Sequence, residues 1–148
     1  MHYLDITLEG IDENGNKKNY KLSDFKNQNI ILYFYPQDDT PVCTQEAENF
    51  RDEMNELKKH AVVIGVSADD IDSHIEFQKQ HKLNFIMLSD KFNELKNALN
   101  EHTKGVSNIH RATFIIDKVG NIIKVWEKVD INDHIEEIKE FFYDKEQM

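Results

Sequence analysis

Residues 30–43 read Ile-Ile-Leu-Tyr-Phe-Tyr-Pro-Gln-Asp-Asp-Thr-Pro-Val-Cys, an apolar run that passes through a short polar loop. The first six residues, all aliphatic or aromatic, are typical of a strand buried on both faces of a sheet. Thr40 is a good helix N-cap and Pro41 suits the first helical position, so we predict that a helix begins there. Cys43 then falls at the third helical position, in the first turn.

Strand and helix patterns alternate along the rest of the chain. Asn14-Gly15 is a strong turn pair between two short strands and predicts an N-terminal β-hairpin. A second hairpin is expected around Gly120. Apolar patterns predict strands at 6–8, 17–22, 61–66, 85–88, 113–116 and 122–126, and helices at 41–57, 69–81, 92–99 and 132–143. This order predicts an α/β fold, a central mixed sheet flanked by helices, in a single domain spanning residues 1–148.

Composition excludes several classes of function. The formal net charge of -10 argues against a nucleic-acid binder and against docking on an anionic membrane, since both need clustered cations. The longest apolar run, residues 30–35, is far too short to span a bilayer. Residues 1–5 lack a basic segment followed by an apolar core, so we expect no secretory signal. We therefore expect a soluble, cytoplasmic protein.

The chain has one cysteine, Cys43, and seven histidines. A single cysteine excludes an intramolecular disulfide and the CxxC of a disulfide reductase, and it fits a reducing compartment. The histidines form no HExxH motif or Cys/His ligand cluster, so we expect them to be scattered surface residues. We expect no metal and no cofactor.

The position of Cys43 favours a thiolate. The first turn of a helix has free N–H groups and the positive end of the helix dipole, which lower the pKa of a cysteine there. We expect the Thr40 hydroxyl to reach back over the same turn, near the sulfur. A free thiol has a pKa of about 8.5, and lowering it to about 6 takes roughly 3.4 kcal/mol. A helix end supplies about 2 kcal/mol at most, so a nearby cation is needed.

The chain has two arginines that could be this cation, Arg51 and Arg111. Arg51 lies eight residues beyond Cys43, roughly 12 Å along the helix axis, which favours a structural role. Arg111 precedes the predicted strand 113–116. If that strand is antiparallel to strand 30–35, Arg111 lies beside the loop that leads to Cys43. A guanidinium can hold a thiolate and a second acceptor through separate N–H donors.

The segment resembles the peroxiredoxins, and in particular the bacterioferritin comigratory protein group. The family pattern of Pro, three residues, Thr, two residues and Cys matches Pro36, Thr40 and Cys43. Further similar segments follow in the expected order at 34–36, 43–47, 50–52, 66–69, 88–90 and 111–117. The resemblance covers nearly the whole chain, and the ordered set of motifs is specific.

The resemblance implies a thioredoxin-like fold and a thiol-dependent peroxidase acting on hydrogen peroxide and organic hydroperoxides, with a role in antioxidant defence. It implies that Cys43 is the peroxidatic nucleophile, which becomes a sulfenic acid. Thr40 would donate a hydrogen bond to sulfur and peroxide, and Pro36 would shield the pocket from water. Arg111 would stabilise the thiolate and polarise the peroxide. Glu46 either orients an arginine or is a solvated acid.

One departure from the group concerns the resolving cysteine, which many members carry five residues after the first. Here that position is Glu48, and the chain has no other cysteine. An external thiol must then resolve the sulfenic acid, and the expected reductant is thioredoxin, a glutaredoxin or a small thiol. We expect the protein to be a monomer or a weak homodimer. The alternative is a redox sensor on the same fold, in which Cys43 is oxidised once and signals through a partner.

Overall fold

The computed structural model describes residues 1–104 and 109–147. Its strands are β1 Leu8–Ile11, β2 Lys17–Tyr20, β3 Ile30–Phe34, β4 Val62–Ser67, β5 Ile86–Ser89, β6 Thr113–Ile116 and β7 Ile122–Trp126. Its helices are α1 Pro41–Asp52, α2 Met54–Leu57, α3 Ile71–His81, α4 Glu94–Thr103 and α5 His134–Glu146, with short 3₁₀ turns at Tyr3–Asp5 and Leu22–Phe25. Within these ranges, no helix has both the length and the apolar character needed to cross a membrane.

All seven strands form one mixed sheet in the order β2-β1-β5-β4-β3-β6-β7. β3 runs parallel to β4 and antiparallel to β6, and β4 runs parallel to β5. The predicted hairpins pair β1 with β2 and β6 with β7. The predicted mixed α/β sheet with an N-terminal β-hairpin is therefore confirmed.

Helices cover both faces of the sheet because β3 is apolar on both sides. Ile30, Leu32 and Phe34 of β3 join a core with α4 and the two 3₁₀ turns. Ile31 and Tyr33 of β3 point to the opposite face, where they join a core with α1, α2, α3 and α5. Helix α1 therefore packs against β3 on one face of the sheet, and β3 leads directly into the loop that precedes α1.

All four predicted helices differ in their bounds: α3 begins at Ile71, α5 spans His134–Glu146, and the other two differ in ways that change their packing. The apolar spacing from Cys43 to Leu57 predicts one helix, but α1 ends at Asp52 and a short α2 follows after Glu53, so the apolar face continues across a break. The predicted helix over 92–99 would place Phe92 in its first turn. Helix α4 instead begins at Glu94, and Phe92 lies in the preceding loop with 74% of its surface exposed.

Candidate active site

Cys43 lies in the first turn of α1, as predicted. The helix begins at Pro41, and the Thr44 N–H donates to the Thr40 carbonyl, so Cys43 is the third helical residue. The side chain packs with the core of Ala47 and Phe50, and the residue is only 2% exposed. The sulfur is therefore at the bottom of a covered site, where an anion is stabilised by free backbone N–H groups.

The prediction that the Thr40 hydroxyl reaches back over the first turn of α1 is wrong. Thr40 has the extended backbone of an N-cap, but its side chain makes no capping hydrogen bond. Its Oγ1 donates to the Gln37 carbonyl, 3.2 Å away, within the loop that precedes the helix. The extended Thr40 backbone and Pro41 at N1 therefore start the helix without this cap.

Arg111 reaches the sulfur from the segment just before β6, the strand that pairs with β3. Because β6 is antiparallel to β3, the residues just before β6 lie beside the loop just after β3. The Phe34 N–H donates to the Ala112 carbonyl across 2.8 Å, which fixes Arg111 at this edge. Its Nη2 then donates to the Cys43 Sγ at 3.3 Å. The structure brings Arg111 and Cys43 together, as the sequence predicted.

Glu46 holds the other end of the same guanidinium. Arg111 Nη1 donates to Glu46 Oε1 at 2.6 Å, and Glu46 is 2% exposed. Of the two alternatives left open by the sequence, the structure thus selects the orienting carboxyl. Burial raises the pKa of Glu46 to about 7, against the lowering effect of Arg111. Burial acts to lower the pKa of Arg111, but the Cys43 sulfur and Glu46 outweigh it and raise that pKa.

Arg51 has a structural role. Its Nη1 donates to the His81 carbonyl at the end of α3, and its other contacts are the carboxylates of Glu48 and Asp52. Glu48, at the position of the resolving cysteine in related proteins, lies 3.6 Å from the His81 ring. These contacts tie α1 to α3, and they leave Arg111 as the arginine at the sulfur.

A buried polar network holds the loop between β3 and α1, and sequence reasoning missed it. The Asp38 carboxylate accepts hydrogen bonds from the Tyr35 hydroxyl, the Ser73 hydroxyl and the His74 Nδ1–H, at 2.6, 2.8 and 2.7 Å. The Asp38 backbone N–H donates to Asp69 Oδ2 at 2.7 Å. Burial and Asp38 raise the pKa of Tyr35 well above its ordinary value, which keeps this hydroxyl a donor. The loop is thereby fastened to α3 and to the end of β4.

The prediction of surface histidines is wrong for His74 and His134, which are both buried. His74 is 0% exposed, and its Nε2 faces the Leu88 carbonyl at 2.8 Å while Nδ1 faces Asp38. The Leu88 carbonyl can only accept, so His74 Nε2 donates to it. The signal was available in the sequence, since His74 lies one turn before Phe77 on the apolar side of its helix.

Asp38, Asp69 and His74 each offer a possible metal-ligand atom within 4.8 Å of the others, in the part of the chain that the structure describes. Both ring nitrogens of His74 already have partners in this network, Asp38 at Nδ1 and the Leu88 carbonyl at Nε2. Asp69 Oδ2 accepts from the Ser67 hydroxyl as well as from the Asp38 backbone. The donor set therefore fits a structural network rather than a metal centre.

Pro36 follows β3 at the start of the loop that leads to α1. It is half-buried after β3 and lines a small cleft of about 90 Å³ together with Tyr35, Ser67, Asp90 and His110. The ring adds apolar surface and no backbone donor at the point where the chain leaves the sheet. Cys43, Thr40 and Arg111 are not among the residues that line this cleft, so the shielding role of Pro36 stays a prediction.

Known proteins share both the sequence and the fold. Residues 2–125 match the AhpC/TSA family. Peroxiredoxin Bcp of Bacillus subtilis (strain 168) is 44% identical over 124 residues, which are 79% of this chain and 79% of the relative. The chloroplastic peroxiredoxin Q of Gentiana triflora is 35% identical over 133 residues, 88% of this chain and 60% of that protein. A solved structure of Xanthomonas campestris bacterioferritin comigratory protein superposes with a TM-score of 0.84 at 27% identity, covering 97% of this chain and 93% of that one.

The chain therefore belongs to the AhpC/TSA family of thiol-dependent peroxidases, on a thioredoxin-like fold. Within that family it is a peroxiredoxin of the Bcp and PrxQ type, with a single cysteine. Peroxide reduction with a thioredoxin-type reductant is the activity of this class.

Proposed function

We propose that Cys43 is the peroxidatic nucleophile and that an external thiol completes each turnover. The observation that carries the proposal is the 3.3 Å contact between Arg111 Nη2 and the Cys43 sulfur in the first turn of α1. A guanidinium stays charged at any working pH, so it stabilises the thiolate, the nucleophilic form of cysteine. Hydrogen peroxide and small organic hydroperoxides are the proposed substrates.

The chemical step follows from the reactivity of a thiolate. The Cys43 sulfur attacks the distal oxygen of the peroxide, an S–O bond forms and the O–O bond breaks. The departing oxygen takes a proton and leaves as water or alcohol, and Cys43 becomes a sulfenic acid, oxidised by two electrons. Arg111 Nη2 is placed to polarise the peroxide, and Thr40 supplies a hydroxyl at the mouth of the site once it turns from Gln37. Pro36 excludes water beside them.

The reductant has to reach a sulfur that is 2% exposed. A protein thiol is far larger than a peroxide, so its access needs the first turn of α1 to open. A first thiol displaces water from the sulfenic acid to form a mixed disulfide, and a second thiol releases Cys43. Thioredoxin, a glutaredoxin and a small thiol are the candidates, because this chain has no second cysteine.

Two further properties belong to the proposal. The lone thiol of Cys43 suits a reducing compartment, which supports a cytoplasmic location. We expect a monomer or a weak homodimer, and light scattering of the reduced and oxidised protein measures this directly. An oxidised dimer that a thiol dissociates would indicate an intersubunit disulfide between two Cys43 residues.

The testing experiment follows peroxide consumption by the reduced protein with each thiol donor in turn, alongside Cys43→Ser. We expect sustained consumption with at least one donor and none in the variant. Activity that survives in purified Cys43→Ser would end the assignment of Cys43. Consumption of one equivalent followed by arrest with every donor would instead identify a redox sensor.

A further inference from the structure

The site contains two acidic groups and one cation. Arg111 bridges Glu46 Oε1 and the Cys43 Sγ with its two terminal nitrogens, at 2.6 and 3.3 Å. Among the described side chains, Arg111 is the one that forms an ion pair with Glu46. If Cys43 and Glu46 were both ionised, a buried site would carry an uncompensated negative charge. Such a charge is costly away from water, so a proton on Glu46 would leave one cation, Arg111, to balance one anion, the Cys43 thiolate.

The second carboxyl oxygen of Glu46, Oε2, is the atom that would hold this proton. Glu46 Oε2 is buried and has no hydrogen-bond partner among the described residues. At this buried position an ionised carboxylate with an unpaired oxygen is less stable than a neutral carboxyl group, because loss of water penalises a charged group more than a polar one. The pKa of Glu46, raised to about 7 by burial, agrees with a proton held there near neutral pH.

The groups that face Glu46 come from three elements. Cys43 is on the same helix, Arg111 precedes β6, and Tyr33 is on β3. Burial and then Glu46 raise the pKa of Tyr33 well above its ordinary value, so the tyrosine stays neutral and does not compete for the charge. The exchange of protonation is therefore confined to Cys43 and Glu46 around a permanently charged Arg111.

Oxidation changes this balance. Cys43 loses its negative charge when it becomes a sulfenic acid, and the Arg111 charge is then available to the Glu46 carboxylate alone. We propose that Glu46 supplies the proton that the departing oxygen takes when Cys43 reduces a peroxide. This inference rests on the proposed function of Cys43. Thiolate, neutral Glu46 and peroxide then yield sulfenic acid, ionised Glu46 and water or alcohol, with the net charge unchanged.

The geometry allows such a transfer. Cys43 and Glu46 are three residues apart on α1, so their Cβ atoms are about 5–6 Å apart on one side of the helix. A proton donor acts directly or through one water molecule. In the reduced protein Glu46 is a positioning group for Arg111, and during the reaction it becomes the local acid.

The test counts protons in a single turnover. Thiolate absorbance is first measured against pH for the wild type and for Glu46→Gln, to choose a pH at which Cys43 is ionised in both. Glutamine keeps the acceptor for Arg111 but holds no ionisable proton. One equivalent of hydrogen peroxide is then added in weak buffer with a pH indicator. We expect no proton uptake by the wild type and uptake of one proton from solvent by Glu46→Gln.

If the wild type takes up one proton from solvent per turnover under these conditions, this measurement alone overturns the proposal, whatever the variant does. Failure of the wild type to react with peroxide at all would instead refute the role of Cys43. The pH profile gives a second readout: above pH about 7 the peroxide rate of the wild type should fall while alkylation of Cys43 does not. Below that pH, Glu46→Gln should react about 100-fold more slowly and show no such fall. A fall that persists in Glu46→Gln would also overturn the proposal.

Glu48→Gln is the matched control, because Glu48 is on the same helix but contacts Arg51 and His81. It should leave proton uptake and the pH profile as in the wild type. If Glu48→Gln took up a proton as Glu46→Gln does, the effect would come from the overall charge of α1, and the assignment to Glu46 would be wrong.

Discussion

Arg111 donates a hydrogen bond to the sulfur of Cys43 at 3.3 Å, although the two residues are 68 positions apart in the chain. The contact depends on the antiparallel pairing of β3 and β6, which brings the start of one strand beside the end of the other. A helix terminus alone stabilises an anion by about 2 kcal/mol at most. Arg111 therefore adds, through tertiary structure, a cation that the helix terminus does not supply.

Arg111→Ala should move the pH midpoint of Cys43 alkylation upward, because the thiolate loses its cation. Peroxide reduction should fall about 100-fold, the typical effect of removing one donor from a developing anion. Arg51→Ala is the natural comparison, since its guanidinium contacts the His81 carbonyl instead of the sulfur. Rates of alkylation and of peroxide consumption, each measured against pH, check both variants. An unchanged midpoint in Arg111→Ala would refute this role.

Thr40→Val should slow peroxide reduction about 100-fold, while Thr40→Ser stays within a few-fold of the wild type. Valine keeps the shape of threonine but removes the hydroxyl that must turn from the Gln37 carbonyl toward the substrate. Since this hydroxyl does not cap α1, neither change should alter the unfolding free energy by more than about 1 kcal/mol. Single-turnover kinetics and urea denaturation measure the two effects. Equal activity of valine and serine variants would contradict the proposed donor.

His74→Ala should lower the free energy of unfolding by about 3 kcal/mol, because it removes a hydrogen-bond partner from the buried Asp38 carboxyl group and from the Leu88 carbonyl. The loop before α1 should loosen, and the peroxide rate should fall although His74 does not contact Cys43. His102→Ala, an exposed change on α4, should stay within about 0.5 kcal/mol. Urea denaturation and hydrogen exchange in the loop check the pair. If His74→Ala has the same free energy of unfolding as the wild type, the buried polar network does not hold the loop in place.

Glu46 should make stability depend on pH. Its pKa is about 7 in the folded protein and 4.5 as the ordinary value, so the folded state binds the proton more tightly. The stabilisation from this proton is complete below pH 4.5 and is lost as pH rises toward 7, by an amount on the order of 3 kcal/mol. Glu46→Gln should lack this loss. The difference between the two unfolding free energies, measured from pH 4 to 8, tests it, and a constant difference would contradict the raised pKa.

Much of the fold and part of the site could be predicted because their signals are local. The strand 30–34, the start of α1 at Pro41 and the two hairpins follow from apolar runs and turn residues. The choice of Arg111 over Arg51 followed from distance along a helix and from the expected strand pairing. The extent of the domain over residues 1–148 stays a prediction.

The features that sequence did not predict depend on contacts between distant segments. Whether Glu46 is solvated or paired is decided by Arg111, and the environment of His74 is decided by Asp38 and the Leu88 carbonyl. The Thr40 hydroxyl was misplaced because a side-chain rotation chooses between two nearby acceptors, which no spacing in the sequence specifies. Phe92 was misplaced because an apolar residue in a loop has the same local pattern as one at a helix start.

The hydrogen bond from Phe34 to Ala112 has a consequence for how this chain can change during evolution. Successive residues of an extended strand point to opposite sides, so one residue gained or lost between Arg111 and β6 would turn the guanidinium away from Cys43. Insertions and deletions among related sequences should therefore occur before Ile109. None should occur between Arg111 and Thr113, where β6 begins.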